Sequence, residues 1–99
     1  MVTYVVNLEI EREVSAAYLS WLKEHVDEIL ALDGFVSAQC HEVESSSEER
    51  LVLSVHYRIE SRAHLDSYFR DHAERLRGDG MKKFEGRFSA ERRIYKELW

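Results

Sequence analysis

The sequence has 99 residues, of which 44% are hydrophobic and 33% are charged, and this composition predicts a single folded domain over residues 1–99. The formal net charge of −5 opposes approach to a polyanion, so we expect no nucleic-acid partner. No apolar run approaches the roughly 20 residues of a membrane span, and the first residues lack a signal peptide, so we expect no membrane partner and a cytoplasmic location.

Four stretches have the pattern of β-strands. Residues 2–11 alternate between apolar and polar side chains, which predicts a strand with one buried face. Residues 35–44 and 50–59 predict two further strands, joined by the polar stretch ESSSEE at residues 44–49 as a solvated hairpin loop. Residues 87–96 predict the last strand. The first and third strands are the most apolar, so we expect them at the centre of the sheet.

Two helices are predicted between these strands. Residues 14–32 carry apolar side chains every three or four positions, which is typical of an amphipathic helix. Gly34 should end it, because glycine tolerates the left-handed conformation found after helix C-termini. Ser61 is a good N-cap for a second helix over residues 62–77. Residues 78–86 are expected to form a tight connection with room for one short helical turn.

The order β-α-β-β-α-β predicts an α+β domain with the ferredoxin-like fold, in which a four-stranded antiparallel sheet carries both helices on one face. The residues expected on the helix-facing side of the sheet are Tyr4, Val6, Leu8, Leu53, Val55, Tyr57, Ala38, Cys40 and Ala90. Those expected on the opposite, more polar side are Asn7, Glu9, Gln39, His41, Ser54, His56, Glu91 and Arg93.

Three stretches resemble a known family: the opening strand, WLKEHVDEILALDGFVSAQ at residues 21–39, and YFRDHAERLRGDGMKKFEGRFSAER at residues 68–92. They are similar to small bacterial proteins classed as a domain of unknown function within the dimeric α/β-barrel group. Relatives in the wider group include small monooxygenases that act on polycyclic aromatics, isomerases and members with no known activity. The resemblance implies a domain of dimeric α/β-barrel type that forms a homodimer through its sheet surface. It implies no particular reaction, because fold and chemistry separate freely.

The polar face of the sheet is one place where a site could lie. His41 and His56 are expected on neighbouring strands, where they could hydrogen-bond to Glu9 and Glu91 across strands or subunits. A metal ion would need a third protein ligand, which the sequence does not supply in any recognisable pattern, so we expect no metal. The only cysteine, Cys40, is expected to be a small buried residue in a reducing compartment and not a nucleophile.

The second place lies between the helices and the sheet. His25 and His72 fall on the apolar stripes of the two helices and are the candidate catalytic residues. The ligand-binding candidates are these two histidines with four aromatic neighbours: Tyr18, Trp21, Tyr68 and Phe69. Such a set could line a pocket for a flat apolar ligand with one polar handle. The alternative is that both histidines are ordinary packing residues.

Two functions therefore stay open. The first is a non-catalytic binding or structural module, and the second is a small-molecule pocket or a cofactor-free enzyme, monooxygenase-like or isomerase-like, acting on a flat aromatic ligand. We expect no cofactor, since Gly78 and Gly80 are expected to end a helix and not to begin a phosphate loop. Basic side chains concentrate in residues 70–96, which indicates a solvated surface, an anion site or electrostatic pairing between copies.

Overall fold

The computed structural model describes residues 1–45 and 48–99, and it has four strands and three α-helices in these ranges. In chain order the elements are β1 (Val2–Glu11), a 3₁₀ turn (Arg12–Val14), α1 (Ser15–Leu30), β2 (Phe35–Glu42), β3 (Arg50–Ile59), α2 (Arg62–Asp71), α3 (Ala73–Phe84) and β4 (Phe88–Lys96).

The sheet has the strand order β2-β3-β1-β4, and every neighbouring pair is antiparallel. The predicted ferredoxin-like α+β fold is therefore confirmed, with β1 and β3 at the centre as expected. Ten residue pairs in unbroken register join these two strands, from Val2 opposite Ile59 to Glu11 opposite Arg50. This rigid central ladder fixes the side chains that form the floor beneath the helices.

The core lies between the helices and one face of the sheet. On β1, Tyr4, Leu8 and Ile10 are almost fully buried because α1 and α2 cover this side of the strand. On α1, Tyr18 and Ile29 face them and are also buried. The alternation that predicted the strand and the three-to-four spacing that predicted the helix thus meet in one hydrophobic core.

One predicted helix boundary is present in the structure, and another is shifted. Ser61 caps α2, because its Oγ accepts a hydrogen bond from the backbone N–H of His64. The first helix ends earlier than predicted, at Leu30 with Ala31 as its C-cap, and Gly34, with φ of 86° in the left-handed region that favours glycine, lies in the turn that leads to β2. A Cβ at Gly34 would overlap the Cβ and the ring of His64, so the turn after α1 and the start of α2 are in close contact.

The second helix differs from its prediction. It breaks at His72, where φ is −133°, and a separate helix then continues through Gly78 and Gly80 to Phe84. The expectation that these glycines end a helix was wrong. Gly80 is instead a close-packing position, since a Cβ there would lie 2.6 Å from Cη2 of Trp21.

The edge strands are much more exposed than the central ones. The expectation that Cys40 is buried was wrong: its side chain is exposed because β2 is an edge strand that α1 covers only in part. The predicted solvated loop is exposed at residues 44–45 and 48–49, and its remaining two positions, 46–47, lie outside the described residues. Within the described ranges, no helix is both long enough and apolar enough to cross a membrane.

Candidate functional site

A pocket of about 220 Å³ lies between the helices and the sheet. Its floor is formed by β1, β3 and β4, and its walls by α1 on one side and by α2 and α3 on the other. The residues that line it are Tyr4, Val6, Leu8, Tyr18, Trp21, Leu22, His25, Ile29, Val55, Tyr57, Tyr68, Arg77, Met81, Phe88, Ala90 and Arg92.

One wall of this pocket is a cluster of aromatic rings around Tyr18. Its ring centroid is 5.4 Å from that of Trp21, 5.0 Å from that of Phe84 and 5.1 Å from that of Phe88. Burial raises the pKa of the Tyr18 hydroxyl, so it stays protonated and can donate a hydrogen bond at neutral pH. The arrangement offers flat apolar surface with a polar group at its centre.

A second group of tyrosines lies on the opposite side. Tyr4 stacks on Tyr57 with ring centroids 5.9 Å apart, and Tyr68 lies 6.1 Å from Tyr4. Burial is the main reason that the pKa of Tyr68 is raised to about 12, with the Arg77 guanidinium partly opposing the change. The Tyr68 hydroxyl is therefore a neutral donor near pH 7.

His25 is the histidine of the pocket. Its ring stacks on Trp21, with centroids 4.6 Å apart and an interplanar angle of 22°. Burial lowers the pKa of His25 to about 4; the carboxylate of Asp79 partly offsets this and the guanidinium of Arg92 adds to it. The imidazole is neutral at pH 7 and can both donate and accept a hydrogen bond.

Arg77 brings a positive charge into the pocket. Its Nη2 donates a hydrogen bond to the Tyr4 hydroxyl at 2.9 Å, and its guanidinium carbon lies 5.7 Å from the centroid of the Phe69 ring. Its Nε is buried without a hydrogen-bond partner, and in the described part of the chain it is the only buried side-chain nitrogen or oxygen of this kind. Buried donors in folded proteins nearly always have a partner, so this group marks an unmet interaction.

The structure brings together four of the six predicted ligand-binding residues: Tyr18, Trp21, His25 and Tyr68 line the pocket. Phe69 lies one layer behind it, where its ring packs 5.4 Å from that of Tyr4. His72 is outside the lining: it is partly exposed at the break between α2 and α3, with its Nδ1 3.4 Å from Nη2 of Arg75. The break shifts the helical phase, and this removes His72 from the stripe on which the continuous helix would have placed it.

Sequence reasoning missed Arg77 and Arg92. Arg92 had a usable signal, because Phe88, Ala90 and Ile94 alternate on the inward side of β4 and place Arg92 between them. No comparable signal exists in the sequence for Arg77, because the second helix was expected to end at this residue. The inward positions of Tyr4 and Tyr57, in contrast, were predicted.

The outer face of the sheet carries a polar cluster that is satisfied within the protein. The Ser54 hydroxyl donates to Oδ1 of Asn7 at 2.7 Å and lies 2.8 Å from Nε2 of His56. The rings of His41 and His56 are 5.5 Å apart, and neither pairs with the glutamate suggested by the sequence. Among the described residues, no three His, Cys, Asp or Glu side chains are grouped as metal ligands.

A second groove of about 310 Å³ runs between α1 and β2. Its charged residues, Lys23 and Asp27, pair with each other at 3.0 Å, and the remainder of its lining is apolar apart from the Cys40 thiol. The first pocket is the better candidate site, because several polar groups converge on an apolar cavity there.

The sequence matches the family DUF4286, a domain of unknown function, over residues 1–98. The chain belongs to the DUF4286 family. Among curated proteins, none matches the sequence significantly.

Solved structures show the same fold at low sequence identity. A protein from Deinococcus radiodurans, whose description is "putative antibiotic biosynthesis monooxygenase", is 13% identical with a TM-score of 0.75, over 100% of this chain and 94% of that one. A variant of SnoaB, a cofactor-independent oxygenase from Streptomyces nogalater, is 9% identical with a TM-score of 0.72, over 99% and 94%. A de novo designed protein, Foldit4, is 13% identical with a TM-score of 0.65, over 98% of each chain. Since natural oxygenases and a designed sequence share this DUF4286 fold, the likeness establishes the fold alone.

Proposed function

We propose that this DUF4286 protein is a binding protein for a small, flat, largely apolar molecule that occupies the pocket between the helices and the sheet. The observation that carries this proposal is the combination of aromatic walls with a few converging polar groups, which is typical of small-molecule sites. The ring pair of Trp21 and His25 supplies a flat surface. The neutral hydroxyls of Tyr18 and Tyr68 supply hydrogen bonds that orient the ligand.

Binding is favoured over catalysis by the electrostatics of His25. A general base works best when its pKa is near the working pH, because it must be both free to accept a proton and basic enough to take it. Burial lowers the pKa of His25 to about 4, which makes the imidazole a weak base at neutral pH. It is better suited to hold a ligand by hydrogen bonding and ring stacking than to remove a proton from it.

A cofactor-free enzyme acting on an aromatic ligand is the second candidate. The similarity in fold to SnoaB, whose description is a cofactor-independent oxygenase, supports it. The two candidates separate in one measurement: a ligand of the binding protein is recovered unchanged by mass spectrometry after prolonged incubation in air, whereas an enzyme converts it.

The test of the proposal is a thermal-shift screen with bicyclic aromatic compounds, both neutral and charged. A bound ligand raises the melting temperature by mass action. Ala90→Leu adds bulk to the pocket floor and should abolish the shift. The matched control is Ser89→Leu, one residue earlier in β4 on the exposed outer side, which should leave the shift unchanged. Equal shifts in both variants would place the ligand elsewhere.

We also infer that the outer face of the sheet pairs with a second copy of the chain. Val52 supports this, because it is an apolar side chain among polar ones that the single chain leaves partly exposed. Sedimentation at micromolar concentration should give a dimer. Val52→Asp should weaken it by burying an unpaired charge, while Val52→Thr, which keeps the side-chain shape, should weaken it less. A monomer at all concentrations would contradict the inference.

A further inference from the structure

Two partly buried arginines, Arg77 and Arg87, differ in whether a carboxylate neutralises their charge. Arg77 and Arg87 are both partly buried, whereas the other arginines of the described residues are exposed. Arg87 lies between two carboxylates and pairs with both Glu11 and Glu13. Arg77 forms no ion pair with any described residue, although its environment is more apolar. Shielding a charge from water without a counterion is costly. In the free protein the partly buried guanidinium of Arg77 therefore lacks an anionic acceptor for its hydrogen bonds.

A second unpaired guanidinium reaches the same pocket from the opposite side. Arg92 lines the pocket from β4 and forms no ion pair within the described part of the chain. Its charge is felt by three other pocket residues, since it acts on the titration of Tyr18, His25 and Tyr68. Arg92 therefore adds a second positive charge to the lining of the same pocket as Arg77.

No described residue that lines the pocket is Asp or Glu. This is notable in a chain whose net charge is −5, where carboxylates outnumber the basic groups. The nearest acidic influence on His25 is Asp79, which does not line the pocket. His25 itself stays neutral and adds no competing charge. The pocket is thus an apolar cavity with net positive charge in an acidic protein.

The free donor of Arg77 fits one ligand chemistry in particular. A guanidinium presents its N–H groups in a planar fork that matches the two oxygens of a carboxylate. The buried Nε–H of Arg77 is part of such a fork and makes no hydrogen bond in the described structure, although the guanidinium also reaches the hydroxyls of Tyr4, through Nη2, and of Tyr68.

We propose that the ligand of this pocket is an aromatic carboxylate, whose acid group lies between Arg77 and Arg92 and whose ring lies against Trp21 and Tyr18. This inference rests on the proposed binding function and names the class of ligand. The carboxylate supplies the acceptor that the Arg77 Nε lacks and a counterion for both guanidinium groups. The aromatic ring replaces water against the apolar wall.

The experiment compares two probes of nearly equal shape, 1-naphthoate and its neutral isostere 1-naphthamide, by isothermal titration calorimetry at pH 7 and low salt. The wild-type protein should bind 1-naphthoate at least tenfold more tightly than 1-naphthamide, because a hydrogen bond between a guanidinium and a carboxylate is stronger than one to a neutral amide. Added salt should weaken 1-naphthoate binding and leave 1-naphthamide binding nearly unchanged.

Variants locate the anion. Arg77→Gln should lower the affinity for 1-naphthoate by about tenfold or more while leaving 1-naphthamide binding unchanged. Arg92→Gln should have a similar but smaller effect, since Arg92 is more exposed. The matched controls are Arg75→Gln, two residues before Arg77 in α3, and Arg93→Gln, the next residue of β4; neither lines the pocket, and neither variant should discriminate between the probes.

The outcomes distinguish the two proposals. If 1-naphthamide binds as tightly as 1-naphthoate and Arg77→Gln changes neither, the pocket binds aromatics but the inference about the acid group is overturned. If neither probe nor any compound of the aromatic screen binds, the proposed function fails and this inference with it. If 1-naphthyl phosphate binds more tightly than 1-naphthoate, the anion is retained but the carboxylate is wrong. The comparison of probes on the wild-type protein decides the matter even if Arg77→Gln does not fold.

Discussion

The two faces of the sheet treat their charged side chains differently. Arg92 and Arg93 are neighbours in β4, and the pleat of the strand sends them to opposite faces. On the outer face, the guanidinium of Arg93 pairs with Glu91 two residues earlier. On the helix-facing side, Arg92 lines the pocket and has no such partner among the described residues. Of these two neighbouring arginines, the one on the outer face has a carboxylate partner in the free protein, and the one in the pocket has none among the described residues.

The same contrast holds for the histidines. His56 on the outer face lies 2.8 Å from the Ser54 hydroxyl, in a chain of hydrogen bonds that continues to Asn7. His25 in the pocket has a stacked ring, Trp21, as its neighbour, and burial depresses its pKa. A surface that satisfies its own polar groups is suited to structure or to pairing. A cavity that leaves them unmet is suited to a ligand.

The largest expected effect is a difference in unfolding free energy between a substitution on the helix-facing side of the sheet and one on its outer face. Leu8 is 3% exposed in the core, and the next residue of β1, Glu9, is on the outer face. Leu8→Ala should destabilise the protein by about 2–5 kcal/mol, because it removes buried methyl groups and leaves a cavity. Glu9→Ala should change the unfolding free energy much less. Urea unfolding of both variants measures the difference, and equal losses would show that the outer face is as tightly packed as the core.

A second pair of substitutions tests the helix that covers the pocket. Gly80→Ala should destabilise by about 1–3 kcal/mol, because the new Cβ would lie 2.6 Å from Trp21 and displace its ring. Gly78→Ala, two residues earlier in the same helix, has open space around its Cβ in the described structure. It should stabilise by about 0.5–1 kcal/mol, since alanine is the better helix former. Thermal unfolding distinguishes them by sign, and a gain from both would mean that Trp21 moves freely.

A third prediction uses pH to sharpen the contrast. The pKa of His25 is about 4 in the folded protein and near its ordinary value of 6.5 in the unfolded chain. Between these values the unfolded chain binds a proton that the folded protein does not, so the contribution of His25 to stability is lost as the pH falls from about 6.5 to about 4. After allowance for solvent screening, the loss should be on the order of 1–2 kcal/mol.

The measurement is urea unfolding at pH 7 and pH 4.5 for the wild-type protein and His25→Gln, whose pH dependence should be shallower. Direct titration of the His25 ring by NMR gives the pKa itself. A titration midpoint of His25 near its ordinary value of 6.5 would show that the pocket is well hydrated. Burial would then not distinguish the histidine of the pocket from those of the outer face.

The smallest effect concerns the ion pair of the outer face. Glu91 and Arg93 are both exposed, and their hydrogen bond lowers the pKa of the Glu91 carboxyl. Exposed pairs contribute little to stability because water already solvates both charges. Glu91→Gln should therefore leave the melting temperature unchanged within error at moderate salt. The prediction applies to the monomer, measured well below micromolar concentration, and a clear drop there would show that this pair is shielded from water even without the proposed dimer.

The fold was predictable because its signals are local and repeated. The alternation of residues 2–11 and 50–59 identifies both central strands, and their apolar character explains why they lie inside the sheet. The helix break could not be predicted in the same way. Gly78 and Gly80 look like a helix end in sequence, and the close contact of Gly80 with Trp21 exists only after the chain has folded.

The candidate site was predictable on the α1 side and not on the α3 side. Tyr18, Trp21 and His25 follow one regular helix, so their spacing places them together. Arg77 lies beyond the break at His72, where the phase assumed for a continuous helix no longer holds. The part of the pocket charge that Arg77 contributes therefore depends on a tertiary detail that the helical periodicity does not show, whereas the alternation of β4 places Arg92.

Gly34 limits how this protein can change. Its φ of 86° disfavours most side chains, and its contact with the His64 ring excludes any Cβ. Asparagine often replaces glycine where only the backbone conformation matters, but here it would still collide with the imidazole. In a saturation library, position 34 should accept glycine alone, and His64→Ala should not relieve the restriction, because the Cβ that alanine keeps would itself lie 2.5 Å from the new Cβ. The two halves of the fold are therefore coupled at this contact, because a side chain at position 34 would require the start of α2 to move away.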